Sequence, residues 1–178
     1  MHKDIKRILI DNKTIKQAIR KLAIKINNDY EDKAPILIGV LKGCLPFYNE
    51  LFLQLTCDPI MDFMIVSSYS GVNSQNIKIV ADLRQNIANR HVIIVEDIVD
   101  TGKTLAKVIE ILKLRKPASI KVTCLLDKPN CRINAFQPDY ICFKIKHVFA
   151  VGYGLDYNEK YRNLPYVGEL KQQLYARS

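Results

Sequence analysis

Residues 92–104 read Val92-Ile93-Ile94-Val95-Glu96-Asp97-Ile98-Val99-Asp100-Thr101-Gly102-Lys103-Thr104. Four consecutive β-branched residues with no polar face are what a strand buried on both sides requires. The spacing of Leu105, Val108, Ile109 and Leu112 predicts a helix over 103–116, closed by Lys113, Arg115, Lys116 and Pro117. A buried strand running through Glu96–Thr104 into a helix is one unit of a parallel sheet with helices on its faces.

The same alternation continues on either side. Ile15, Ala18, Ile19, Leu22 and Ile26 recur at helical spacing over 13–28. Ile36–Leu41 is apolar throughout and predicts a central strand, and Leu45, Tyr48, Leu51, Phe52 and Leu55 predict a second helix. Strands are expected at 60–66, 77–83 and 120–126, with shorter ones near 140–143 and 148–151; 67–74 is polar with Gly71, the composition of a mobile loop. The fold class is therefore α/β with a central parallel sheet flanked by helices on both faces. In such sheets ligands bind beyond the carboxyl ends of the strands, which directs attention to the residues after Leu41, Val95, Leu126 and Val151.

Bulk properties narrow the function. The 178 residues suit one domain, and the hydrophobic and charged fractions, 48% and 25%, are ordinary for a globular protein. The longest apolar run near the start, Ile8–Ile10, is too short for a secretory signal, and no run approaches a membrane span, so the expected location is cytoplasmic with no membrane partner. Five cysteines, Cys44, Cys57, Cys124, Cys131 and Cys142, show no paired spacing and read as small apolar residues. The net charge of +9 comes from scattered Lys and Arg without a nucleic-acid-binding signature, which favours a small polyanionic ligand over nucleic acid.

The turn after Val95 specifies that ligand. A helix start offers unpaired N–H groups, Gly102 lets the backbone approach closely, and Thr101 and Thr104 add hydroxyls, which together make a phosphate cradle. It is not a P-loop, because the first glycine of G-x-x-x-x-G-K-[ST] would fall at position 97, which is Asp97. Glu96, Asp97 and Asp100 would repel a bare phosphate. They suit a ligand that also brings a ribose diol and Mg²⁺.

This stretch resembles the phosphoribosyl-pyrophosphate signature of type I phosphoribosyltransferases, most closely that of the hypoxanthine-guanine enzymes. Further segments agree in order and spacing, so the resemblance runs from about Ile36 to Arg162. The resemblance implies a single domain, 1–178, with a core about 30–130 and a small hood built from the N-terminal segment and about 131–178. It implies transfer of the phosphoribosyl group from phosphoribosyl pyrophosphate to a 6-oxopurine, hypoxanthine or guanine, with Mg²⁺ as cofactor and a homodimer or homotetramer as the assembly.

Residue by residue, the resemblance implies that Glu96, Asp97, Ile98, Val99, Asp100, Thr101, Gly102, Lys103 and Thr104 bind the phosphoribosyl group, with Asp100 as general base. Leu41, Lys42 and Gly43 would form a pyrophosphate loop, often with a cis peptide between Leu41 and Lys42, and Arg162 would grip the same group. Ser68 and Tyr69 would lie on a lid that excludes water. Lys128 would donate to the purine 6-oxygen, which only accepts. Phe149 would stack on the base and the Ala150 backbone would bond its edge. Ala150 stands where a branched residue is usual, with little consequence for a backbone contact. Glu96, Asp97 and Asp156 would hold Mg²⁺. A regulator that binds phosphoribosyl pyrophosphate and acts on nucleic acid is the alternative. It would have no need of the base site that Lys128 and Phe149 complete.

Overall fold

A computed structural model describes residues 1–68 and 77–176. Its larger sheet contains six strands. These are β2 (Ile36–Leu41), β3 (Ile60–Ser68), β4 (Ile77–Ala81), β5 (His91–Val99), β6 (Ser119–Asp127) and β7 (Tyr140–Lys144), in the order β4-β3-β2-β5-β6-β7. All neighbours are parallel except β3 and β4. A second, antiparallel sheet joins β1 (Ile5–Ile10), β9 (Val167–Leu170) and β8 (Ala150–Val151), in the order β1-β9-β8.

Alternation along the central strands sends successive side chains into two cores. Leu37, Ile93, Val95 and Leu125 pack with α1 (Asn12–Asp29) and α2 (Leu45–Phe52) through Ile19, Ile26, Phe47 and Leu51. Ile36, Ile38, Val92, Ile94 and Val122 pack on the opposite face with α3 (Lys103–Lys113) through Leu105, Val108 and Leu112. Helices thus cover both faces, which is why β2 and the Val92–Val95 stretch of β5 carry no polar residues. Burying each such aliphatic side chain contributes about 1.5–3 kcal/mol. Cys44, Cys57 and Cys124 are free and buried, as expected of small apolar residues.

Helix α1 starts where its cap dictates. Asp11 adopts extended backbone and its Oδ1 accepts the Thr14 N–H across 2.8 Å. Those amide donors hold the Asp11 carboxyl below its ordinary range.

Three points of the sequence reading are corrected. First, β5 does not end at Val95: Glu96, Ile98 and Val99 pair with Cys124, Leu126 and Asp127, because β6 is equally long and keeps the ladder supplied with partners. Glu96 and Asp97 therefore stand on the strand, and the loop proper is Asp100–Gly102. Second, α3 ends at Lys113 rather than 116. Third, two strands carried no recognised pattern. β1 has register shifts that break its period of two, and β9 is four residues long and buried throughout. β7, parallel to β6, closes one edge of the larger sheet. No helix among the described residues is long and apolar enough to cross a membrane.

Candidate active site

The site gathers at the carboxyl ends of β2, β5 and β6, as the parallel sheet demands. After Val99 the chain turns through Asp100, Thr101 and Gly102. Gly102 has φ +79° and caps α3, a left-handed conformation that favours glycine. Among the described residues, the Thr101 and Gly102 N–H groups donate to no backbone acceptor. They remain open to an anion, with the first turn of α3 and Thr104 behind them.

Lys128 follows β6 and is far from a surface lysine. Its side chain is 9% exposed, its N–H donates to the Val99 carbonyl across 2.9 Å, and its Nζ donates to Asp100 Oδ2 across 3.1 Å. Lys128, Asp97, Asp100, Asp156, Phe149 and Ala150 line one cavity of about 470 Å³. That volume lies within the usual range for a small-molecule site, about 300–1,000 Å³.

Phe149 is held by two rings. Tyr175 stacks on it with 4.8 Å between centroids and 28° between planes, and Tyr157 meets it edge-on at 5.4 Å. The Tyr157 hydroxyl donates to the Leu174 carbonyl across 3.0 Å, which ties down the segment carrying Tyr175. Ala150 is buried and pairs with Glu169 between β8 and β9.

Two loops converge beside the cavity. The Leu41–Lys42 peptide is cis, as the resemblance implied. A β-carbon on Gly43 would overlap the Asp97 carboxylate, so only glycine admits that approach. Arg162 reaches back with Nη1 to the Gly154 carbonyl at 2.8 Å and with Nη2 to Asp156 Oδ1 at 2.9 Å. Its Nε is buried without an acceptor among the described residues, leaving one donor to spare. Glu159 bridges the two cations, 3.0 Å from Lys42 Nζ and 3.2 Å from Arg162 Nη2, and their donated hydrogen bonds hold its carboxyl below the ordinary range.

Burial dominates the electrostatics of the strand-end carboxyls. Burial raises Glu96 well above the usual carboxylate range, and the neighbouring Asp97 charge adds to it. Burial also pushes Asp97 up to about 6; the Ile98 N–H and Arg162 pull it down, while Asp156 raises it. Three carboxylates, Asp97, Asp100 and Asp156, share the cavity, and their hard oxygens are the donor type Mg²⁺ prefers. Glu96 does not line that cavity. Ser68 ends β3 opposite Ile77, and Tyr69 lies outside the described residues.

With this geometry established, the match to known proteins is direct. A model of the phosphoribosyl transferase domain matches residues 7–158. The chain belongs to the phosphoribosyltransferase family. It is 47% identical over 178 residues to the hypoxanthine-guanine phosphoribosyltransferase of Streptococcus pneumoniae, covering 99% of each chain. It is 46% identical over 177 residues to the enzyme of that name from Streptococcus thermophilus, covering 98% of each. The crystal structure of a hypoxanthine phosphoribosyltransferase from Staphylococcus aureus superposes with a TM-score of 0.95 at 41% identity, covering 98% of this chain and 96% of that one. The type I phosphoribosyltransferase fold expected from the sequence is thus the fold observed, and none of these three relatives is named as a nucleic-acid regulator.

Some residues of this phosphoribosyltransferase site escaped the sequence reading. His147, Val148, Leu155 and Tyr175 also line the cavity. Val148 and Leu155 adjoin Phe149 and Asp156 and were within reach of the motif. Tyr175 lies in a single 3₁₀ turn's wake with no periodic neighbours, so nothing local marked it. Arg132, Asn134 and Glu159 touch the loops around the cavity, contacts visible only after folding.

Proposed function

We propose that this phosphoribosyltransferase joins hypoxanthine or guanine to phosphoribosyl pyrophosphate, forming the nucleotide and releasing pyrophosphate. The observation that carries the reading is the single cavity lined by an aromatic ring, a buried lysine and three aspartates. Phe149 offers a face for the purine, where stacking contributes about 1–3 kcal/mol. Lys128, almost fully buried, offers an ammonium that only donates, which suits a 6-oxo group and disfavours a 6-amino group.

Displacement at the anomeric carbon builds positive charge on the ribose and negative charge on the leaving group. Asp100 stands beside Lys128 and accepts the proton that the purine imidazole ring loses as the new bond forms. Glu96 and Asp97 hold the ribose hydroxyls, and backbone from Val99 to Thr104 holds the 5′-phosphate. Lys42 and Arg162, on the convergent loops with Leu41 and Gly43, take the pyrophosphate once it displaces Glu159. Ser68 and Tyr69 belong to the lid that keeps water from the reacting centre.

The oxygen-rich lining fits Mg²⁺, with Asp97, Asp156 and, in the family pattern, Glu96 as the residues that would hold it. When bound it supplies positive charge against the leaving pyrophosphate. The reading includes a single domain, 1–178, with a core about 30–130 and a hood from the N-terminal segment and about 131–178, and it is supported by the separate small sheet of β1, β8 and β9. The resemblance further supports a cytoplasmic homodimer or homotetramer with no nucleic-acid or membrane partner. Calorimetric titration with phosphoribosyl pyrophosphate in magnesium buffer tests the reading: saturable uptake is expected, and no uptake would overturn it.

A further inference from the structure

Three consecutive residues donate to three consecutive carbonyls of the phosphate turn. Arg132 Nη1 donates to the Asp100 carbonyl, the Ile133 N–H to the Thr101 carbonyl at 3.3 Å, and Asn134 Nδ2 to the Gly102 carbonyl at 3.3 Å. A trans peptide is planar, so its N–H points opposite to the preceding C=O. Pinning the carbonyls of residues 100–102 toward this segment therefore turns the N–H groups of Thr101, Gly102 and Lys103 to the other side. Thr101 and Gly102 are the residues whose N–H groups find no backbone acceptor among the described residues, and Lys103 N reaches only the Thr101 hydroxyl at 3.4 Å.

The segment is itself anchored. Arg132 Nη2 pairs with Asp127 Oδ1 at the end of β6, and both side chains are buried, 9% and 4% exposed. Buried pairs of this kind are poor sources of net stability. One planar guanidinium here spans two strands' ends, a task that a point charge cannot perform. The segment also lies so near the turn that a β-carbon on Gly102 would stand 2.9 Å from Asn134 Oδ1 and 3.0 Å from Arg132 Cδ. Through the 3₁₀ turn Pro129–Cys131, whose Cys131 N–H donates to the Lys128 carbonyl at 3.0 Å, it is continuous with Lys128.

We infer that Arg132, with Asn134, is a positioning residue that aims the backbone N–H groups of the 100–103 turn at the 5′-phosphate. It is a role in binding that no part of the signature motif contains. The inference rests on the proposed function, which supplies the phosphate.

Calorimetric titration with IMP and with inosine isolates the phosphate contribution as the ratio of the two dissociation constants. Arg132→Lys keeps a charge for Asp127 but cannot bridge to the turn, and Asn134→Ala removes one exposed donor without uncovering a buried charge. The ratio is expected to fall about tenfold in Arg132→Lys and about threefold in Asn134→Ala, the size of one lost charged or neutral hydrogen bond. Inosine affinity and melting temperature are expected to stay near those of the unaltered protein. A ratio unchanged in both variants, or equal weakening of IMP and inosine, overturns the inference. Failure of the unaltered protein to bind IMP at all would instead overturn the proposed function, and this role with it.

Discussion

The ammonium of Lys128 donates to Oδ2 of Asp100 across 3.1 Å, so the group proposed to read the base and the group proposed to take its proton are in direct contact. The contact follows from parallel pairing of β5 with β6, which sets Val99 opposite Asp127 and brings the next residue of each strand together. Asp100→Asn keeps the shape and removes the base. It is expected to cut turnover about 10²-fold or more, the usual size of a general acid–base contribution, with substrate affinity little changed. Near-normal turnover would remove Asp100 from that role.

Gly154 has φ +100°, and a β-carbon there would overlap the Gly43 carbonyl oxygen. The loop after β2 and the loop leading to Arg162 dock through this contact. Gly154→Ala is expected to destabilise the protein by about 1–3 kcal/mol, from backbone strain alone. Phosphoribosyl pyrophosphate affinity should fall more than base affinity, since Lys42 and Arg162 lose their common support. Thermal melting and separate KM measurements check this; equal loss for both substrates would contradict it.

Tyr175 covers Phe149 with 4.8 Å between ring centroids. Such pairs contribute about 0.5–1.5 kcal/mol beyond burial, so Tyr175→Ala is expected to raise the KM for hypoxanthine about two- to twelvefold. The KM for phosphoribosyl pyrophosphate should hold steady, and Tyr175→Phe should restore the base KM. A Tyr175→Phe variant as impaired as the alanine would show that the ring stack is not what matters.

Glu169 fastens the edge strand of the small sheet. Its carboxylate accepts from Lys6 Nζ at 2.9 Å and Arg7 Nε at 2.7 Å, and the Lys6 hydrogen bond, partly offset by burial, holds its pKa below the ordinary 4.5. A depressed carboxyl stabilises the fold above the unfolded pKa and loses that contribution as pH falls through the folded one. Melting curves of the unaltered protein and Glu169→Gln should therefore differ at neutral pH, with the variant lower, and converge as pH falls below the ordinary 4.5 and through the lower folded pKa. A gap that persists into stronger acid would contradict this.

How much of this was legible beforehand follows from what each signal needs. Val92–Val95 and Ile36–Leu41 announced a parallel core because burial on both faces leaves no polar residue to blur the pattern. Asp100 and Lys128 directly follow β5 and β6, Phe149 directly precedes β8 and Asp156 lies in the turn beyond it; the resemblance singled them out, and the fold brings them to one cavity. The extension of β5 to Val99 was not, since carboxylates argue against strand until the pairing with β6 is known. β1 and β9 were hidden by their irregular register and shortness. Tyr175, Glu159 and Arg132 owe their positions to contacts across 26, 117 and 32 residues respectively with Phe149, Lys42 and Asp100, distances that local patterns do not encode.

The most direct measurement compares phosphoribosyl transfer to hypoxanthine, guanine, xanthine and adenine, with and without Mg²⁺. A buried donor-only lysine beside the Asp100 carboxylate predicts magnesium-dependent transfer to hypoxanthine or guanine and none to adenine. Transfer to adenine in preference to the 6-oxopurines, or no magnesium-dependent transfer to hypoxanthine or guanine, would contradict the account.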